Sequence, residues 1–383
     1  MRMKKLMILA VAAIALVACS RTFETHQATG QAIGFGTWTE TMTKAYTSTW
    51  ADGDAFSVFG TKTVASQTVV FDDQPVVYDG TTSKWGYTPI QYWDLSASNY
   101  TFYAVLPFVD GNSDNKNDIL AAEANAGDYA KEGLFVTSEI TFNAPTTNNQ
   151  DILVANKYSR DKGATAMSTS SVDLVFNHMA SLVDLKVKMD ASLASIANTV
   201  TISVTDADLT DIYTKGSFVV TGYDASTKKP TYAGTFGWTL DDDTTPTEGD
   251  YPASATLPLA VTSETTYTGG NATTTTPEAQ DLFTSYVLMP QDLNNNQKLT
   301  LSYTITTKDS ADNEATATYS DIEIPLKNFV KADNTSNDGT AVTGWRPGYH
   351  YTYYVTIGAA AIEFTATVND WVDAAGGYHY LIN

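Results

Sequence analysis

The chain has 383 residues, 43% hydrophobic and 17% charged, which is enough for two domains with sizeable cores and too mixed for a disordered chain. Its formal net charge is −21, which excludes nucleic acid as a partner class because phosphate binding needs a basic surface. Cys19 is the single cysteine, so stability has to come from packing and not from disulfides or thiolate metal sites.

Residues 1–18 read as an export signal. Arg2, Lys4 and Lys5 precede an apolar run from Leu6 to Ala18 that is too short for a comfortable membrane span. Leu16, Val17, Ala18 and Cys19 look like a bacterial lipobox, in which the cysteine is acylated and becomes the mature N-terminus. Two or more acyl chains hold a protein firmly on a membrane, where one does not. Residues 19–32 are polar and without periodicity, and read as a tether.

The first strand is expected from Ile33 to Trp38, with Ile33 and Phe35 on one side and Gly34 and Gly36 on the other. A polar segment separates it from a second strand, Phe56 to Gly60. Further short β signals follow at Thr68–Phe71, Val76–Tyr78, Trp85–Tyr87, Tyr92–Trp93 and Tyr100–Leu106. The last is apolar on both faces, which places it centrally in its sheet. Phe135–Thr137, Ile140–Phe142 and Ile152–Ala155 continue the pattern, and the best helix candidate lies within Asp114–Gly133, broken by Gly127. Short strands at such spacing argue for a sandwich.

A polar, small-residue stretch from Tyr158 to Ser171 suggests a domain boundary, giving an N-terminal part 33–165 and a C-terminal part 171–383. In the second part Val183, Leu185, Val187 and Met189 alternate with Asp184, Lys186, Lys188 and Asp190, a half-exposed strand. Strands are also expected at Val200–Val204, Phe218–Val220, Thr235–Leu240, Leu257–Val261, Leu299–Ile305 and Ile322–Leu326. Asp241–Asp250 and Ser263–Pro277, rich in Asp and Thr, read as exposed, mobile loops. The chain closes with Tyr349–Ile357 and Ile362–Val368, two runs of period two.

No catalytic constellation emerges. His26, His178, His350 and His379 are scattered, and G-x-S-x-G, H-E-x-x-H and phosphate-loop patterns are missing, so no enzyme activity, cofactor or metal is expected. Asp110, Asn112, Asp114 and Asp118 stand near calcium-loop spacing, but the glycine is misplaced and no Glu closes the loop. Trp85, Tyr87, Tyr92 and Trp93 form a candidate glycan-stacking platform, with sheet packing as the competing use of such rings.

The ordered set of pieces resembles the fimbrillin-like family of surface pilins, the type V pilins of Gram-negative anaerobes. The matching features are the lipobox ending at Cys19, IGFG from Ile33, TKA from Thr43 and FSVFG from Phe56. They continue with the Trp85, Tyr87, Tyr92, Trp93 cluster running into YTFYAVLP, then DILVA at Asp151 and LVFNHMASLVDLKVKM at Leu174. YVLMPQ at Tyr286 and the stretch from Trp345 to Trp371 close the match. The resemblance implies an all-β fold with two β-sandwich domains in tandem, of transthyretin-like, Greek-key type. It also implies an outer-membrane lipoprotein or fimbrial subunit at the cell surface, whose partners are other fimbrial subunits, the outer membrane through the lipid anchor, and a surface glycan or protein.

In this family a protease typically removes the first strand after a basic residue, and a C-terminal strand of the neighbouring subunit fills the groove left behind. Carried over, the removed strand is the one bearing Ile33 and Phe35. The family's cleavage is usually arginine-directed, whereas no arginine lies between Arg21 and Arg160 here, and Lys44 stands in the corresponding place. The candidate donor strand comprises Ile362, Phe364, Ala366 and Val368, with Tyr378, Tyr380 and Ile382 in the tail. Beyond Trp371 the tail offers about seven extended residues, roughly 23 Å. Burying its three large side chains contributes roughly 5 to 9 kcal/mol before ordering costs, which is thin for a durable joint without part of Ile362–Val368. The alternative is a non-polymerising surface lipoprotein that binds glycan through the aromatic platform.

Overall fold

The computed structural model describes residues 31–39, 50–123, 127–143, 151–161, 171–242, 245–268, 271–331, 340–359 and 362–370. Cys19, Lys44, Tyr378, Tyr380 and Ile382 lie outside these residues. The described chain is all-β apart from a few short helical turns.

In chain order the first half contains β1 (Phe35–Thr39), β2 (Ala55–Thr63), β3 (Gln67–Asp79), β4 (Lys84–Gly86), β5 (Asn99–Leu106), α1 (Asp128–Glu132), β6 (Ile140–Thr141), β7 (Leu153–Ala155), β8 (Tyr158–Asp161) and β9 (Val172–His178). One sheet runs β1-β9-β7-β5-β2-β3-β4, with β8 also on β5. As its two apolar faces require, β5 is central: Tyr100, Phe102 and Ala104 enter one core and Tyr103 and Val105 another. The expected helix shrinks to one short turn between Gly127 and Gly133, both at positive φ. Upstream of it the Asp and Asn side chains cap turns instead, with Asp110 accepting the Asp114 and Asn115 amides at 3.0 Å.

The second half contains β10 (Ser181–Met189), α2 (Ala191–Ala194), β11 (Thr199–Tyr213), β12 (Lys215–Phe218), β13 (Val220–Tyr223), β14 (Pro230–Tyr232), β15 (Trp238–Leu240), β16 (Glu248–Pro252), β17 (Leu259–Thr268), β18 (Asn271–Thr275), β19 (Gln280–Leu288), β20 (Lys298–Lys308), β21 (Glu314–Pro325), β22 (Val330–Lys331), β23 (Tyr349–Ile357) and β24 (Ile362–Asp370). Two sheets dominate: β19-β10-β23-β24-β22, and β18-β17-β11-β20-β21 with β16 on β11. The alternation in β10 and β23 is realised as Val183, Leu185 and Val187 and as Tyr351, Tyr353 and Val355. These share one core with Val200, Ile202 and Val204 of β11.

Three expectations change. The boundary placed between 165 and 171 assigns β9 to the C-terminal part, yet β9 pairs with β1 and β7 in the first sheet, and the chain passes to the next sheet between His178 and Ser181. The Thr-rich segment 263–277 is the β17–β18 hairpin and not a loop, because β-branched threonines suit a pleated surface and pair across it, as Thr265 and Thr274 do at 2.8 Å. Residues 248–250, expected in a loop, belong to β16 on β11. A further feature is that β12 pairs with β6, and Phe218 and Val220 pack with Tyr103, Val105 and Val154. The second face of the first sheet is therefore covered by Ile119, Leu120, Tyr129 and Phe135 of the same half and in part by residues from much later in the chain.

Candidate functional site: the groove beneath the first strand

β1 has five residues and joins the first sheet in parallel with β9, from Phe35 opposite Val172 to Thr39 opposite Phe176. On its other side the approach to β1 is held by the segment after β4. The Ile33 amide donates to Gln91 O at 2.9 Å, the Trp93 amide to Gln31 O at 3.0 Å, and the Tyr87 hydroxyl to Ile33 O at 2.7 Å. Residues 31–39 are thus inserted between β9 and residues 87–93.

The inserted segment fills an aromatic groove. Ile33 and Phe35 are buried. The Phe35 ring lies edge-on to Phe71 at 5.5 Å, Tyr87 at 5.6 Å, Phe102 at 6.0 Å and Phe56 at 6.4 Å, contacts from β2, β3, β5 and the segment after β4. Full burial of two such side chains contributes roughly 3 to 6 kcal/mol. Burial pushes the Tyr87 phenol above its ordinary range, and the hydrogen bond to Gln91 offsets part of that.

The four aromatics singled out as a glycan platform are brought together here, but as packing. Trp93 is 3% exposed and stands 4.7 Å from Tyr100, while Trp85 packs on Phe56 at 4.7 Å and Trp50 at 5.1 Å. Only Tyr92, 46% exposed, presents a large surface to solvent, so the four rings share no open face. Tyr87 lies against Phe35 of β1, and Trp85 and Trp93 join the same core, where burying their apolar area outweighs solvent contact. Sequence reasoning missed Arg160, whose guanidinium lies 5.1 Å from the Trp93 ring centre and 5.6 Å from that of Tyr158. Arg160 and Trp93 are 67 positions apart and carry no local signal. Beside this cluster Lys62 bonds Asp94 at 2.8 Å, and that contact holds the Asp94 carboxyl well below the usual carboxylate range.

At the other end of the chain β24 pairs antiparallel with β23 over nine positions, from Tyr349 opposite Asp370 to Ile357 opposite Ile362, with Phe364 opposite Val355. Ala366 is fully buried and Val368 packs on the main core. Among the described residues β22 pairs with the outer side of β24 at Thr365 and Ala366. Among the described residues no group of three His, Cys, Asp or Glu side chains is placed to hold a metal ion. His178 is 9% exposed and bonds the Asp151 carboxylate through Nδ1.

A search of curated proteins finds no match. Among solved structures, a fimbrial protein from Bacteroides vulgatus superposes with a TM-score of 0.56 at 17% identity, covering 89% of this chain and all of the other. A proposed cell adhesion protein from Bacteroides uniformis gives 0.46 at 17% identity, covering 89% of this chain and 99% of the other. The first of these supports the fold alone. The sequence model of the fimbrillin-like family matches residues 43–371, most of the chain, and the protein therefore belongs to the fimbrillin-like family.

Proposed function

We propose that this chain is a structural or adhesive subunit of a bacterial fimbria, exported as a lipoprotein on Cys19 and assembled by strand addition. In this reading cleavage at Lys44 frees β1, and a C-terminal segment of a neighbouring subunit, drawn from β24 and the tail with Tyr378, Tyr380 and Ile382, fills the vacated groove. The burial of Ile33 and Phe35 in an aromatic groove, by a short strand joined to β2 through the segment that holds Lys44, is the observation that carries the proposal. A five-residue strand anchored by Phe35 and by Ile33 just before it is a replaceable plug. Its loss uncovers Phe56, Phe71, Tyr87 and Phe102, a surface that backbone pairing and alternate side chains of an incoming strand would satisfy.

The two halves make the division of labour: the first sheet receives, and the sheet that contains β24 donates. In this reading the protein works as two domains at the cell surface without catalysis.

The deciding measurement is the N-terminal residue of the protein recovered from the cell surface, together with its assembly state on a denaturant-free gel. Ala45 at the N-terminus of polymeric material supports the proposal. Acylated Cys19 on material that stays monomeric before and after Lys-directed cleavage overturns the strand-addition part.

A further inference from the structure

We infer that the outer edge of β21 is a lateral contact surface for a second copy of this chain, the two β21 strands pairing antiparallel about a two-fold axis at Ala317. This goes beyond the proposed strand addition and uses neither the β1 groove nor β24.

β21 is the last strand on its side of the six-stranded sheet, and no described strand pairs with its outer edge. Every residue from Glu314 to Asp321 is exposed, so this half of β21 stands clear of the core on both faces. A free edge carries a row of unpaired amide and carbonyl groups, and proteins blunt such edges with charge, proline or bulges. Between Glu314 and Asp321 the sequence is Ala-Thr-Ala-Thr-Tyr-Ser, with no charged residue and no proline, in a chain whose net charge is −21. Protection begins only at Asp321, where φ is 52° and the register with β20 shifts. The unguarded run is about 20 Å long.

The pattern of the run selects the occupant. With Ala317 on the two-fold axis, Thr316 of one copy faces Thr318 of the other and Ala315 faces Tyr319, so threonines pair and each ring lies over a small residue. Tyr319 is 40% exposed and is held flat against Tyr303, with centroids 4.8 Å apart, so it is already ordered before any contact forms. At the ends, Glu314 would face Ser320, and its charge is already paired with Lys308 at 2.7 Å. No like charges are opposed, and the same patch serves both copies, as a closed two-fold contact requires. The opposite edge strand, β18, is also exposed and uncharged, but it is only five residues long and lacks an ordered aromatic.

The test uses the uncleaved chain with Cys19→Ser, so that loss of this contact is separable from failure of strand addition at β1. In that background Ala317→Cys puts two thiols at the axis, within reach of a disulfide in an antiparallel pair, and mild oxidation is expected to give a covalent dimer. Ala272→Cys in β18 is expected to give none. Sedimentation of the chain with Ala317→Asp is expected to show dimerisation weakened at least tenfold with unchanged thermal unfolding, since the position is exposed. Absence of a cross-link at position 317, cross-linking at 272 instead, or sedimentation unaffected by A317D would each overturn the assignment.

Discussion

The indole N–H of Trp345 donates to the hydroxyl of Tyr353 at 2.7 Å, and both side chains are fully buried in the main core. Burial pushes the Tyr353 phenol far above its ordinary range, so it stays neutral and serves as the acceptor that the tryptophan needs. Tyr353→Phe removes that acceptor and leaves a buried donor unsatisfied. The expected loss is about 1 to 3 kcal/mol in urea unfolding. Trp345→Phe together with Tyr353→Phe should lose less than the two single changes combined, a comparison that separates the hydrogen bond from the packing.

Phe35 anchors β1 through four aromatic neighbours. Phe35→Ala is expected to cost about 3 kcal/mol, at the lower end for a phenylalanine truncated in a core, because an edge strand relaxes more easily than a central one. Amide exchange in residues 31–39 should rise first. Equal protection in the wild-type and F35A chains would show that the backbone pairing to β9, not the ring, holds β1.

Asp73 makes the opposite case, a residue that weakens the fold at neutral pH. Its Oδ1 is buried without a hydrogen-bond partner, while the carboxylate accepts the Asn117 amide at 2.8 Å through Oδ2. Desolvation raises its pKa, against the pull of the bonds from Asn117 and Ser57. With the folded value above the unfolded one, the folded state binds the proton more tightly. Stability from this group is therefore complete below the unfolded pKa and falls as pH rises through the folded one. Asp73→Asn keeps the acceptor for Asn117 and suits the positive φ at this position. It should stabilise by on the order of 1 kcal/mol at pH 7, with the gain vanishing below about pH 4. A gain that is the same at both pH values would exclude ionisation as its cause.

Truncation after Trp371 tests the C-terminal end. β24 ends at Asp370, with Ala366 and Val368 already in the core. The shortened monomer is therefore expected to keep its far-UV spectrum and to melt within a few degrees of the full chain. A collapse of the melting transition would make the tail part of the core and remove it as a donor.

Much of this architecture follows from local pattern. Tyr100–Leu106 reads as a central strand because it is apolar on both faces, and it has a core on each side. Val183–Met189 and Tyr349–Ile357 read as half-buried strands because their apolar residues alternate; the first keeps that alternation, whereas in the second Thr352 and Thr356 are buried as well, since the strand lies inside its sheet and is covered on both faces. Period-two burial is a property of consecutive residues, so the chain carries it without reference to anything distant. The Thr-rich hairpin escaped because polar threonine reads as loop by composition, while its branched Cβ makes it a strand former once a partner strand is present.

Pairing is another matter. That β1 lies parallel to β9, some 137 positions away, is a register between distant segments that the alternation within neither strand specifies. Likewise Tyr87 becomes packing against Phe35, and Trp85 and Trp93 share its core, through contacts between segments far apart in the chain. The sequence alone determined the positions of the apolar strands, their inward residues and the family, since these rest on neighbouring residues and their order. Only the tertiary structure decided that β9 belongs to the first sheet, that Arg160 lies over Trp93, and that among the described strands only β20 pairs with β21, because each is a relation between segments that no local pattern encodes.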